Sequence, residues 1–201
     1  MKNIAVIGTG VIGTGWILRF LANGKKVKAF DKNSQQLNFL KDEITRTNLI
    51  IKKLYNTKIN FKNLEIVDSI EEAVKNVDLI QENVPERLTL KKNVIKNISK
   101  YSPSNSIIAS SSSGLLPSDL QSKCINPKRL IIAHPFNPVY ILPLVEIVKG
   151  KKTTNLYLNK AKKFYQKIKM KTLFVEKELP GFLSDRLQEA LWREGLHIVN
   201  D

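Results

Sequence analysis

Residues 2–13, "KNIAVIGTGVIG", decide how the rest of the chain is read. An apolar run, 2–8, ends in the first of three glycines, Gly8, Gly10 and Gly13, spaced as GxGxxG. The run reads as a buried strand, and a helical segment follows to about Asn23. The hexapeptide alone is weak evidence of function. Its meaning comes from context: it follows a strand, opens a helix, and the next strand, "VKAF" at 27–30, ends on an acidic residue, Asp31. Gly8 would allow a tight turn, Gly10 a close approach of pyrophosphate to the loop Gly8-Thr9-Gly10-Val11-Ile12-Gly13, and Gly13 close helix–strand packing. Amides at the helix start would meet the phosphates. A carboxylate at Asp31 accepts hydrogen bonds from ribose hydroxyls and repels a 2′-phosphate, which favours NAD over NADP, with Lys32 beside it acting the other way. FAD domains share the same opening, but no flavin-specific segment follows.

The alternation continues beyond this unit. "LEIV" (64–67), "VDLIQ" (77–81), "SIIAS" (106–110) and "LIIAH" (130–134) read as strands, separated by helices starting near Ser69, Glu86 and Pro117. A long helix begins at Asn33 or Ser34 and runs to about Ile51. The expectation is an α/β, Rossmann-type, doubly wound and mostly parallel sheet. After His134 the pattern changes: a Pro-containing turn leads to a strand at 144–148, then a helix at 154–168 and a strand at 172–175. "ELPGF" (178–182) breaks the chain, and an amphipathic helix follows, with Leu183, Leu187, Ala190, Leu191 and Ile198 on one face. The expected division is a cofactor domain over 1–178 and the first helix of an all-helical C-terminal domain over 179–201.

The net charge of +15 raises the question of nucleic acid. The lysines are scattered over helices and loops, without an RNA-binding aromatic motif or zinc-finger spacing, so a solvated lysine-rich surface is preferred to a polyanion site and no metal is expected. No apolar run approaches the roughly 20 residues a membrane span needs. A single cysteine, Cys124, excludes an internal disulfide framework and suits a reducing cytoplasm.

Of two histidines, His134 falls at the C-terminal end of a strand, where open α/β sheets bind ligands, and Glu146 follows twelve residues later. A base for an alcohol proton fits histidine, and a carboxylate on the far ring nitrogen would fix its tautomer. That pairing requires 144–148 to fold back beside the strand of His134; otherwise His134 is a structural residue at a turn. The serines of "ASSSSG" (109–114) could hold a substrate oxygen or form an ordinary polar loop. Glu82 and Glu86 could contact the cofactor's ribose or nicotinamide, or cap the helix near Pro85.

Taken together, "GTGVIGTGW", "DLIQENVPERLTLKK", "SSSSGLLPSDL", "HPFNPVYILPLVEIV" and "PGFLSDRLQEALWREGLHIV" resemble the 3-hydroxyacyl-CoA dehydrogenase superfamily across the whole chain. Within it the wording is nearest the branch that oxidises L-carnitine to 3-dehydrocarnitine. The lambda-crystallin and L-gulonate branch carries a related HPxNPxY…PLVE pattern. The resemblance implies that His134 is the general base and Glu146 its partner, that Ser113 contacts substrate, and that Asn137 is an active-site asparagine. Acyl-CoA members have asparagine where this chain has Asp185, which counts against an acyl-CoA; the carboxylate suits a cationic group or, equally, a helix salt bridge with a neighbouring arginine. A quaternary ammonium has no donor hydrogen, so aromatic faces or a carboxylate must recognise it, with Tyr140, Phe136 and Trp192 as candidates beside a core or interface reading. The resemblance further implies a longer helical C-terminal domain that closes the cleft and forms a homodimer. The chain is then a fragment, a truncated product or the front of a split protein, and a truncated form that only binds NAD or acts structurally is the rival to an active enzyme.

Overall fold

The computed structural model describes residues 1–201. Eight strands form one sheet: β1 (Asn3–Ile7), β2 (Lys26–Phe30), β3 (Leu64–Ile66), β4 (Leu79–Glu82), β5 (Ile107–Ser110), β6 (Leu130–Pro135), β7 (Leu144–Lys149) and β8 (Lys171–Val175). Their order is β3-β2-β1-β4-β5-β6-β7-β8. All neighbours run parallel except β6 and β7, which are antiparallel. The strand order reverses between β1 and β4, the switch point at which such sheets open a crevice for ligands.

The helices are α1 (Val11–Ala22), α2 (Ser34–Tyr55), α3 (Ile70–Val74), α4 (Leu88–Tyr101), α5 (Pro117–Gln121), α6 (Asn155–Lys167) and α7 (Ser184–Asn200). Alternation along the strands feeds two separate cores. Ile4, Val6, Leu79, Ile107, Ala109, Ile131 and Ala133 pack with Trp16, Phe20 and Leu40 of α1 and α2 and with Phe164 of α6. The intervening Ala5, Ile7, Ile80, Ile108 and Ile132 pack with Ala73, Ile95, Ile98 and Leu120 of α3, α4 and α5. This three-layer arrangement is the expected doubly wound fold. α7 then begins a helical region of its own. None of its residues is buried, and Leu187, Leu191, Trp192, Leu196, Ile198 and Val199 present an uncovered apolar face. No helix is long and apolar enough to cross a membrane.

The elements lie close to their sequence positions, with instructive shifts. Asn33 caps α2 by accepting from the Gln35 amide, but the helix continues to Tyr55, four residues past the expected Ile51. Tyr55 is tied down tertiarily: its hydroxyl donates to the Tyr140 carbonyl at 2.9 Å, and the Arg19 guanidinium lies 5.6 Å from its ring. α4 starts at Leu88 rather than near Glu86, because Glu86 is engaged elsewhere.

Arg19 is the chief fastener of the loop 136–143 between β6 and β7. Fully buried in α1, it donates to the carbonyls of Val139 (2.7 Å) and Leu142 (3.3 Å) in that loop and of Ile168 (3.3 Å) beyond α6. Burial pushes its pKa below the usual arginine value, with Tyr55 opposing. Removing the side chain would leave several buried carbonyls without donors. Arg19→Ala is therefore expected to lower unfolding stability by about 3 kcal/mol in urea titration, well beyond an average substitution.

Candidate active site

The pairing of β6 with β7 sets the centre of the site. In this antiparallel ladder His134 stands directly opposite Glu146. Alternation puts both on the sheet face shared with Ile132 and Val148, toward the α3–α5 layer. Directly opposed residues have Cβ atoms only about 5 Å apart, and here His134 Nδ1 lies 2.8 Å from Glu146 Oε2. The ring of His134 is flanked by Phe136 and Phe182, with centroids at 5.5 and 5.9 Å.

Glu146 is completely buried, and every strong partner is a donor. Besides His134, its Oε1 accepts from the amides of Leu183 (3.1 Å) and Ser184 (3.0 Å), and its Oε2 accepts from Ser184 Oγ. Burial alone would raise this carboxyl's pKa. The hydrogen bonds from His134, Ser184 and Leu183 outweigh burial and hold it below the ordinary carboxylate range.

A cleft of about 590 Å³ lies over the glycine loop, lined by Gly8, Gly10, Val11, Ile12, Asp31, Lys32 and Asn83 among others. A second cavity of about 320 Å³ shares Ile12, Asn83, Val84 and Pro85 with it and carries His134, Ser113, Glu86 and Lys91. A dinucleotide lying along the first would thus end in the second. Asp31 braces the loop, accepting from the Thr9 amide at 2.6 Å and the Asn33 amide at 2.9 Å.

The glycines show what the loop is built to hold. At Gly13 an added Cβ would sit 1.9 Å from the Gly8 carbonyl oxygen, so packing demands glycine. At Gly10 a Cβ would meet only Gln36 Oε1 at 3.6 Å, and the backbone φ of −62° suits any residue. Nothing in the protein itself requires glycine at 10, and the missing Cβ keeps the space above the loop open. Gly10 is also the N-cap of α1 and has no side chain to engage the first-turn amides, leaving them for an anion. These features fit a pyrophosphate.

Glu82 does not face the cleft as expected. It is fully buried, accepting from Lys91 Nζ at 2.8 Å, the Val84 amide at 2.7 Å and Ser110 Oγ, and lines neither cavity. Glu86 neither caps α4 nor stands free. It gathers the serine loop, accepting from Ser112 Oγ and from the amides of Ser113, Gly114 and Leu115 at 3.2–3.3 Å, with Lys91 Nζ at 3.4 Å. Burial would raise the Glu86 pKa, but Ser112, Lys91 and the loop amides bring it below the usual value.

Tyr140 takes the core reading rather than the substrate-facing one. It is buried in the α1–α2 core, with its hydroxyl 3.5 Å from Glu43, because Arg19 and Tyr55 pull the loop backbone to that side. Asn137 is exposed on the same loop, Trp192 is 60% exposed on α7, and Asp185 lies in the first turn of α7. Burial raises the Asp185 pKa most; Glu146, Glu189 and Glu86 add to this, while His134 opposes.

Sequence reading missed Lys91, Phe182 and Ser184. The first two carry no motif by themselves. Ser184 stands next to Asp185 in the "GFLSDR" segment, but its partner is 38 residues away.

Folds that open a dinucleotide crevice at the β1–β4 switch point and turn a histidine into its far end form the class of nicotinamide-dependent dehydrogenase domains. Within that class, residues 3–179 match the family described as 3-hydroxyacyl-CoA dehydrogenase, NAD binding domain. The chain belongs to that family, whose cofactor is NAD and whose members are CH–OH oxidoreductases. It is 52% identical over 208 residues to the L-carnitine dehydrogenase of Oceanobacillus iheyensis, covering 100% of this chain and 66% of that protein. The L-carnitine dehydrogenase of Bacillus cereus is 46% identical over 202 residues, covering 100% of this chain and 62% of that protein. The crystal structure of 5-formyl-3-hydroxy-2-methylpyridine 4-carboxylic acid 5-dehydrogenase, an NAD+-dependent dismutase, matches with a TM-score of 0.93 at 28% identity, covering 100% of this chain and 65% of that one. The chain thus spans somewhat less than two thirds of the length of these proteins.

The two glycines separate binding from folding. Gly10→Ala should cost less than about 1 kcal/mol of stability yet weaken NAD+ roughly tenfold or more by calorimetry. Gly13→Ala should destabilise the fold by about 2 kcal/mol or more.

The lowered carboxyls of Glu86 and Glu146 predict a pH effect of definite sign. Below their unfolded values, near about pH 4.3, the unfolded chain binds more protons. Their contribution is therefore complete above that pH and lost as pH falls through the folded values. Urea unfolding from pH 7 downward should show this loss, and Glu86→Gln should flatten it.

Proposed function

We propose that this chain is the NAD-binding and proton-transfer part of an enzyme that oxidises the 3-hydroxyl of L-carnitine to 3-dehydrocarnitine. Residues 1–178 would form the cofactor domain, and 179–201 the opening helix of a second, helical domain. One observation carries the chemistry: His134, held from behind by the buried Glu146, lines the far end of a cleft that starts at the glycine loop.

Gly8 through Gly13 bind the pyrophosphate through loop amides, and Asp31 receives the adenosine ribose. Lys91 and Glu86 line the inner cavity, at the nicotinamide end. His134 faces the substrate with Nε2, because Nδ1 is committed to Glu146. In the forward direction Nε2 takes the hydroxyl proton as the C–O bond gains double-bond character. Glu146, already ionised, stabilises the imidazolium that results. When bound, NAD+ supplies the acceptor for the hydride leaving the carbinol carbon. Ser113, in the same cavity, donates to the substrate oxygen, and Asn137 orients it from the neighbouring loop.

The substrate reading rests on charge and on kinship. In a chain of net charge +15, Asp185 at the start of α7 is a carboxylate with Glu189 and Glu86 among its charged neighbours. Such a carboxylate favours a trimethylammonium group over the phosphates of a CoA ester. Phe136, against His134, offers an aromatic face, and Trp192 offers another on α7. The relatives at 52% and 46% identity carry the carnitine name. A homodimer covering the apolar face of α7 is part of this proposal.

NADH formation should be followed with L-carnitine, L-gulonate and L-3-hydroxybutyryl-CoA offered separately. L-Carnitine is expected to give the highest kcat/KM, and turnover of the CoA ester alone would overturn the substrate reading. His134→Ala should lower kcat by about 10²–10⁴-fold. An unchanged kcat would place the base elsewhere.

A further inference from the structure

Three of the four hydrogen bonds to the Glu146 carboxylate come from one short segment outside the sheet. The amides of Leu183 (3.1 Å) and Ser184 (3.0 Å) hold Oε1, and Ser184 Oγ shares Oε2 with His134. These donors stand at the start of α7, a helix of 17 residues whose N-terminal dipole adds to their pull on an anion. The segment is itself pinned in place. Phe182, fully buried with a left-handed φ of 47°, wedges into the core beside His134. Gly181 before it has a φ of 72° and supplies the reversal. Glu178 anchors the approach to that turn by accepting from the Ser118 amide at 2.6 Å.

We propose that Ser184 is a positioning residue for the proton-transfer step, holding the Glu146 carboxylate in the rotamer that faces His134 Nδ1. The proposal rests on the His134–Glu146 reading given above. A carboxylate with one partner can rotate about its terminal torsion and offer His134 either oxygen or neither. With both amides on Oε1, the remaining oxygen is directed to the imidazole, and the serine hydroxyl closes its second lone pair. Water is excluded, because Glu146 has no exposed surface. The titratable groups facing the carboxylate are His134 on β6 and Asp185 on α7, while β8 pairs the apolar Leu173 opposite it. No other side-chain hydroxyl donates to Glu146, so without Ser184 Oγ the second lone pair of Oε2 has no donor and only His134 holds that oxygen.

The test is the carboxyl titration of Glu146 by carbon-13 NMR in the 201-residue chain, its Ser184→Ala variant and its Ser184→Thr variant, with kcat for L-carnitine measured alongside. In Ser184→Ala the Glu146 midpoint should rise by about one pH unit, as loss of one charge-assisted hydrogen bond implies. kcat should fall about tenfold with KM for NAD+ unchanged, and Ser184→Thr, which keeps the hydroxyl, should restore both. An unaltered Glu146 midpoint in the alanine variant would overturn the proposal. A raised midpoint with unaltered kcat would instead overturn the catalytic reading of the pair, so the two failures are told apart.

Discussion

The structure depends on a buried carboxylate that must be surrounded by donors. An ionised glutamate without exposed surface is tolerated only where hydrogen bonds replace water. Around Glu146 those bonds come from two parts of the chain, both distant from the carboxylate in sequence. β6 supplies His134 through an antiparallel register, and β7 presents the carboxylate itself. The segment after β8 supplies two amides and a hydroxyl. The direction change at β6–β7, in a sheet otherwise parallel between neighbours, is what sets histidine and glutamate side by side. The Arg19-fastened loop and the Phe182 turn hold the remaining partners in register with them.

Away from this pair, charge is arranged locally against the global trend. The chain is strongly basic, yet the inner cavity is organised by Glu86 and by a fully buried Lys91 bridging Glu82 and Glu86. That bridge fixes the serine loop through Glu86 and the end of β4 through Glu82. A rigid inner wall beside an open glycine loop suits a ligand held firmly at its reactive end. On the proposed reading, binding of the cofactor and orientation of the base fall to two neighbouring cavities that share one wall, Asn83 to Pro85.

Much of this was legible in the sequence, because it rests on local rules. The strand, glycine spacing and terminal Asp31 identify a dinucleotide crossover from about thirty residues, and period-2 alternation identifies the buried strands. The site was legible only in part. That His134 could meet Glu146 depended on a register no local rule provides, since an eight-residue connection such as 136–143 has many possible turns. Of the two readings open for Tyr140, substrate face or core, the core one is decided by Arg19 and Tyr55, from two other helices. Glu82 looked available for a ligand because its partner, Lys91, reads as one lysine among many. Ser184 was invisible as a partner of Glu146 for the same reason: the contact spans 38 residues and exists only once the segment after β8 turns back onto β7.

The most direct test of a single His134–Glu146 unit is a double-mutant cycle on kcat, built from His134→Ala, Glu146→Ala and the combined variant. If the pair acts as one device, the carboxylate has nothing to orient once the imidazole is gone. The combined variant should then be little slower than His134→Ala alone, a strongly non-additive result. Multiplicative effects, with the combined variant slowed by the product of the two single losses, would contradict the account.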